Sequence, residues 1–249
     1  MIQQPLFAAI EIAMFPCLDD NYGFLLRDRE SGRVATIDTP DAGRIAEELD
    51  RRGWSLDLIL NTHWHADHVG GNAALKARYS AWVVAPAAEA DRIDTADELV
   101  EEGSVVMLGA IRIDVLATPG HTLGHVIYHL PTAGVAFVGD TLFAMGCGRL
   151  FEGDAAQMWR NMERLAALPE DTIVYCAHEY TQSNGRFAAT VEPDNQALMT
   201  RLEEVAALRT QGLPTLPTSI AAERATNPFM RAGSAEELAR RRQAKDAFR

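Results

Sequence analysis

The stretch THWHADHVGG, Thr62 to Gly71, places three histidines and an aspartate within six positions. It follows Leu56 to Leu60, a wholly apolar run whose length suits a strand buried on both faces. It precedes a predicted helix from Asn72 to Tyr79. Side chains two apart on an extended backbone share a face, so His63 and His65 address the same side. Asp67 and His68 come at the bend, where the chain can address a second point, and Gly70-Gly71 let the backbone turn tightly. Only seven histidines occur in the 249 residues, so three of them here beside an aspartate read as a metal site.

Four ligands from one loop do not complete two metal shells, and the remainder belong at other strand ends, where α/β scaffolds place functional groups. His121 follows the turn Thr118-Pro119-Gly120, Asp140 ends the apolar run through Val138-Gly139, and His178 follows Tyr175-Cys176-Ala177. Together these are five histidines and two aspartates, enough for two metals if one carboxylate bridges. His125, at the start of a strand, reads as a support for the ligands. His129, in mid-strand, reads as a packing residue.

Strands are predicted at Leu6 to Met14 and Tyr22 to Arg27, around the turn Asp19-Asp20-Asn21, and at Val34 to Asp38. A helix from Asp41 to Arg52 ends at Gly53. Further strands are predicted at 82–85, 105–108, 111–117, 126–130, 135–138 and 173–176, with helices at 155–167 and 181–189. From Asp194 onward strands are expected to stop, leaving helices at 195–210 and 235–248 around a Pro-rich connection. The expected organisation is an α/β (α+β) metal-binding domain over residues 1–175 and a mostly helical domain over 176–249.

Composition narrows the function. Thirty-five acidic side chains against 23 basic ones give a formal charge of −12, which repels phosphate backbones and disfavours a general nucleic-acid binder. No run of about 18 apolar residues appears, so no membrane span is expected. The first basic residue is Arg27, too late for a secretory leader. Cys17, Cys147 and Cys176 lack CxxC spacing, which fits a reducing, cytoplasmic setting. An acidic surface without an apolar stripe points to a monomer. From Arg209 onward the local balance is +4, a place for small anions to dock or a solvated helix face.

The His-x-His-x-Asp-His segment, with His121, Asp140 and His178, resembles the metallo-β-lactamase fold superfamily, and within it glyoxalase II, the hydroxyacylglutathione hydrolases. Gly139–Phe143 with Gly146–Gly153, Ala177–Thr181 and Asn227–Arg231 carry the likeness to almost the whole chain. The resemblance implies an αββα sandwich with a C-terminal helical extension and the metals at one edge of the two sheets. It implies one metal at His63, His65 and His121, a second at Asp67, His68 and His178, and Asp140 as the bridge. It also implies that Arg149, Tyr180, Arg242 and Lys245 bind glutathione. Some members have lysine at position 149 and tyrosine at 151; Arg149 keeps the charge, whereas Phe151 lacks the hydroxyl. Independently, Arg242 and Lys245 are three apart on a predicted helix, on one face, able to clamp a carboxylate.

The implied reaction is hydrolysis of an S-(2-hydroxyacyl)glutathione, typically S-D-lactoylglutathione, to glutathione and a 2-hydroxy acid, a step of methylglyoxal detoxification. Two divalent ions about 3.5–4 Å apart share a water and lower its pKa to about 7, so a hydroxide is available to attack the thioester. Asp67 would ligate one ion and orient that nucleophile, and Asp140 would hold both ions. A thiol of pKa about 8.5 leaves without a general acid. Zinc is the first expectation, and iron or manganese suit the same ligands. Cys147 reads as a site-wall residue rather than a nucleophile. The alternatives are a mononuclear-iron persulfide dioxygenase on the same fold and a non-catalytic metal-binding protein.

Overall fold

The computed structural model describes residues 9–248. The Leu6–Ala8 part of the first predicted strand lies outside them. The chain divides into two compact units, Met1–Ala117 with Gly124–Phe137, and Thr118–Leu123 with Val138–Arg249.

In the first unit, β1 (Ile10–Cys17) and β2 (Asn21–Asp28) form a hairpin with Cys17 opposite Asn21. β3 (Val34–Ile37) lies antiparallel to β2. The chain crosses over through α1 (Ala42–Arg52), and β4 (Leu58–Leu60) returns parallel to β3. Asp41 caps α1 by accepting from the Arg44 N–H, and Gly53 closes it in the left-handed region, φ 66°. After α2 (Ala66–Val69) and α3 (Asn72–Tyr79), strands β5 (Trp82–Pro86) and β6 (Glu98–Val100) extend the sheet in parallel. Its order is β1-β2-β3-β4-β5-β6. Strand β6 escapes the sequence reading because three residues, two of them exposed, carry no apolar pattern.

A meander follows: β7 (Val105–Leu108), β8 (Ile111–Ala117), β9 (Val126–Leu130) and β10 (Val135–Gly139). It packs against the first sheet. Phe24 of β2 meets Phe137 of β10 edge to face at 5.5 Å, and the Tyr128 hydroxyl donates to the Asn61 carbonyl at 2.8 Å. The other face of the first sheet carries α1 and α3, whose Ile45, Leu49 and Leu75 pack on Ala13, Leu25, Ile59 and Val83. Phe24 and Leu25 thus serve opposite faces, as a period of two requires. Each fully buried leucine or isoleucine contributes about 1.5–3 kcal/mol relative to exposure.

The second unit holds the hairpin β11 (Leu142–Phe143) and β12 (Gly146–Cys147), and α4 (Ala155–Ala166), started by an Asp154/Gln157 capping box. β13 (Ile173–Cys176), α5 (Thr181–Val191) and α6 (Gln196–Thr210) come next. α5 and α6 pack through Ala188, Leu198 and Val205, around Met145. The expectation that strands stop after Asp194 fails at β14 (Thr218–Ser219), which pairs antiparallel with β13. Two residues are too few to alternate. The segment is fixed instead by polar chemistry: buried Glu223 accepts from Thr218 and from Arg201, both at 2.6 Å. The chain ends in α7 (Ile220–Thr226) and α8 (Ala235–Ala247), capped by Ser219 and Ser234.

Candidate active site

The metal-type loop lies at the C-terminal ends of the parallel strands β3 and β4, where an open α/β sheet presents its functional groups. Asp38, just after β3, adopts φ 55° and donates its N–H to Leu60 O. Its carboxylate accepts from the Thr62 N–H and hydroxyl, each at 2.7 Å, and from His68 Nδ1 at 2.8 Å. Because the Thr62 hydroxyl donates to Asp38, its oxygen accepts from His63 Nδ1 at 3.0 Å. One buried carboxylate therefore places the proton on Nδ1 of both His63 and His68. Each ring then presents Nε2 as its basic nitrogen, the form that binds a metal.

The other loop residues gather around these nitrogens. His63 Nε2 and His65 Nδ1 are 3.0 Å apart, and His68 Nε2 lies 3.4 Å from Asp67 Oδ2. The His63 and His68 ring centres are 4.0 Å apart. Beneath the loop, Asn61 donates to the His68 carbonyl at 3.2 Å and accepts from Asn72 at 2.7 Å, and Thr39 donates to Asn72. His125 stacks on His63 with ring centres 4.8 Å apart. Asn21, from the β1–β2 hairpin, donates to Asp67 Oδ2 at 3.0 Å.

In the second unit Asp140 stands between two imidazoles. Its Oδ2 is 3.4 Å from His121 Nε2, and its Oδ1 is 3.4 Å from His178 Nε2. His121 Nδ1 donates to the Arg149 carbonyl at 2.9 Å, so its Nε2 faces Asp140. His178 stacks on Tyr180 with ring planes 2° apart. The segment presenting His121 is held along its length. Asn161 donates to Pro119 O, Gly153 to Gly120 O, Phe151 to His121 O, and Glu152 accepts the Leu123 N–H. Gly148 is required where it is: a Cβ there would fall 1.9 Å from the Asp140 carbonyl oxygen.

His121 and Asp140 also line a cleft of about 410 Å³ together with all four proposed substrate residues, Arg149, Tyr180, Arg242 and Lys245. Arg242 is 6% exposed. Its guanidinium donates to the Cys147 carbonyl at 2.8 Å and to Asp246 at 2.8 and 3.2 Å, so it is a fixed part of the wall. Lys245 Nζ donates to Ser183 Oγ at 3.0 Å and lies over the Phe187 and Phe248 rings. Burial, followed by the charges of Arg242, Arg186 and Arg149, lowers its pKa to about 8, with Asp246 opposing. Arg149 is exposed, 3.7 Å from Asp246. Arg241, adjacent in sequence, turns elsewhere and binds Glu192, Glu237 and the Pro228 carbonyl.

Phe151 is 61% exposed and stands edge-on to His121 at 5.2 Å. Cys147 is buried, and burial pushes its thiol up to about 11 against the pull of Arg242, which leaves it a poor nucleophile. Cys17 and Cys176 are also buried and unpaired. Asp38, Thr62 and Asn21 escaped the sequence reading. Each lies in a strand end or turn whose local sequence signals nothing beyond that. Among the described residues no helix is long and apolar enough to cross a membrane.

Comparison with known proteins shows the family. Residues 28–178 match the sequence model of the metallo-beta-lactamase superfamily, and residues 179–248 match that of the hydroxyacylglutathione hydrolase C-terminus. The chain is 56% identical over 220 residues to the hydroxyacylglutathione hydrolase of Maricaulis maris, covering 88% of this chain and 86% of that protein. It is 53% identical over 222 residues to the protein of the same name from Brucella anthropi, covering 89% and 85%. Among solved structures, ETHE1 from Myxococcus xanthus is similar with a TM-score of 0.72 and 28% identity, covering 94% of this chain and 90% of that one.

Proposed function

Because the chain belongs to the metallo-β-lactamase superfamily and, within it, to the hydroxyacylglutathione hydrolases, it is a metal-dependent thioester hydrolase, and we propose that its substrate is an S-(2-hydroxyacyl)glutathione, typically S-D-lactoylglutathione. One observation carries the substrate assignment. The cleft that contains His121 and Asp140 is walled by Arg149, Arg242 and Lys245. A substrate that carries both carboxylates and a thioester matches a cleft lined both by cations and by the candidate metal ligands His121 and Asp140.

We assign His63, His65 and His121 to one ion, Asp67, His68 and His178 to a second, and Asp140 to both. The donor set supports this. Histidines anchored through Nδ1 offer Nε2, and Asp140 turns one oxygen to each of two imidazoles. Imidazole and carboxylate donors suit zinc first, and also iron or manganese. Two divalent ions held by these residues would lower the pKa of a bound water to about 7 and would polarise the thioester carbonyl.

The remaining work falls to the protein's own groups. Asp67 orients the attacking water. Arg149 and Lys245 take the carboxylates of the tripeptide, Arg242 stiffens their wall, and Tyr180 offers its phenol to the peptide. The thiolate of glutathione leaves without a general acid, consistent with a cleft whose one cysteine is a buried, high-pKa thiol.

The working division is a metal-binding domain over 1–175 and a glutathione-binding domain over 176–249, with His178 and Tyr180 just past the boundary. Unpaired buried cysteines suit the reducing cytoplasm. A net charge of −12 supports a monomer that binds no nucleic acid. The test is thiol release from S-D-lactoylglutathione by purified protein before and after chelation, with metal counted on the same sample. Chelator-sensitive release with two ions per chain is expected. One iron per chain with oxygen uptake on a glutathione persulfide would favour the dioxygenase instead.

A further inference from the structure

Asn21 opens β2 directly after the hairpin turn, 46 residues before Asp67. Its carboxamide nitrogen donates to Asp67 Oδ2 at 3.0 Å and approaches the Asp67 main-chain oxygen at 3.4 Å. Asn21 is 6% exposed and Asp67 partly buried, so the amide meets the carboxylate from the interior. The oxygen it pins is the one 3.4 Å from His68 Nε2, the nitrogen that Asp38 leaves basic.

Asp67 needs such a restraint. It lies in the first turn of the four-residue helix α2, whose N-cap position, His65, does not cap the helix N–H groups with its side chain. A short acidic side chain in a first helical turn can fold back onto the uncapped N–H groups, which attract negative charge. That orientation would take the carboxylate away from His68. The Asn21 amide holds it where its oxygen and the imidazole nitrogen converge.

Resting on the ligand assignment above, we propose that Asn21 is a positioning residue that holds the Asp67 carboxylate for the ion shared by Asp67, His68 and His178, and so sets the affinity of that one site. Its action is selective. The hydrogen bonds of Asn21 go to Asp67 and not to His63 or His65, and the His63 ring is oriented by Thr62 and Asp38 instead.

The test is an equilibrium titration of metal-free wild type, Asn21→Ala and Asn21→Leu with zinc against a competing chelator, without substrate. The first ion should bind all three proteins equally. The second should bind both variants about 10–100-fold more weakly, the usual cost of losing a hydrogen bond to a ligand. Leucine fills nearly the volume of asparagine but donates nothing, so a space-filling role predicts a normal second ion in Asn21→Leu. In turnover, kcat of the variants should recover with added zinc while KM stays at the wild-type value. An unchanged second ion in either variant overturns the proposal, as does equal weakening of both ions. Wild type taking fewer than two ions would overturn the ligand assignment itself, and this inference with it. Two ions in wild type and two equally tight in the variants would overturn this inference alone.

Discussion

Lys245 should make substrate binding depend on pH in the range where most lysines are silent. The ammonium is half-buried against Phe187 and Phe248, with Arg242, Arg186 and Arg149 nearby, and these together bring its pKa to about 8. The sign follows directly. A lysine whose pKa falls from 10.5 to about 8 keeps its charge below pH 8 and loses it above. The protonated fraction drops from about nine-tenths at pH 7 to about one-tenth at pH 9. A charge-assisted hydrogen bond to a substrate carboxylate is worth about 1.5–3 kcal/mol, so KM should climb with pH above 8 to a ceiling about 10- to 150-fold higher. The assay is KM for S-D-lactoylglutathione from pH 6.5 to 9.5 in wild type and in Lys245→Arg. Arginine cannot deprotonate in that range, so the variant profile should lack this rise. Titration of the substrate's own amino group affects both proteins alike and cancels in the ratio. Parallel profiles for the two proteins between pH 7 and 9.5 would refute the assignment.

Three other outcomes are expected. Asp140→Ala removes the carboxylate between His121 and His178 and should lose metal and kcat together, by more than about 100-fold, since even residues behind the ligands cost 10–100-fold; metal content and single-turnover rates check it. Asp38→Asn should weaken both ions about 10–100-fold, whereas Thr62→Val, which breaks only the relay to His63, should weaken one; chelator competition separates them. Arg241→Ala should leave KM unchanged while costing about 1–3 kcal/mol of stability from its lost Glu192 and Glu237 bonds, whereas Arg242→Ala should raise KM, as denaturant melts and steady-state kinetics would show.

The histidine loop was legible because metal chemistry needs particular side chains at particular spacings, and β4 before it announces itself by being wholly apolar. Helix ends were legible for the same kind of local reason: Asp41, Gly53 and Asn195 are capping residues at the places read as boundaries. The residues that tune the site were not. Asp38 matters because of what it meets 24 and 30 residues away, and Asn21 because of what it meets 46 residues away. Neither relation leaves a trace in local pattern. The same holds for β14, a strand only because Thr218 is tied to Arg201 and Glu223. Arg241 and Arg242 look alike in the sequence, and only packing decides that the second faces the cleft.

The short excursion Thr118–Leu123 belongs with the second unit although the strands before and after it belong to the first. Its clamps come from Gly153, Glu152, Phe151 and Asn161, all downstream. For a chain emerging from the ribosome, this ordering matters. Asp38, Thr62 and the four loop ligands can find their places among residues already synthesised, but the segment that carries His121 waits for its bonds to Arg149, Phe151, Glu152 and Gly153 and then to Asn161 of α4. Metal acquired early in synthesis would meet a partial set of donors, and the order of the chain makes completion of the centre a late event in biogenesis.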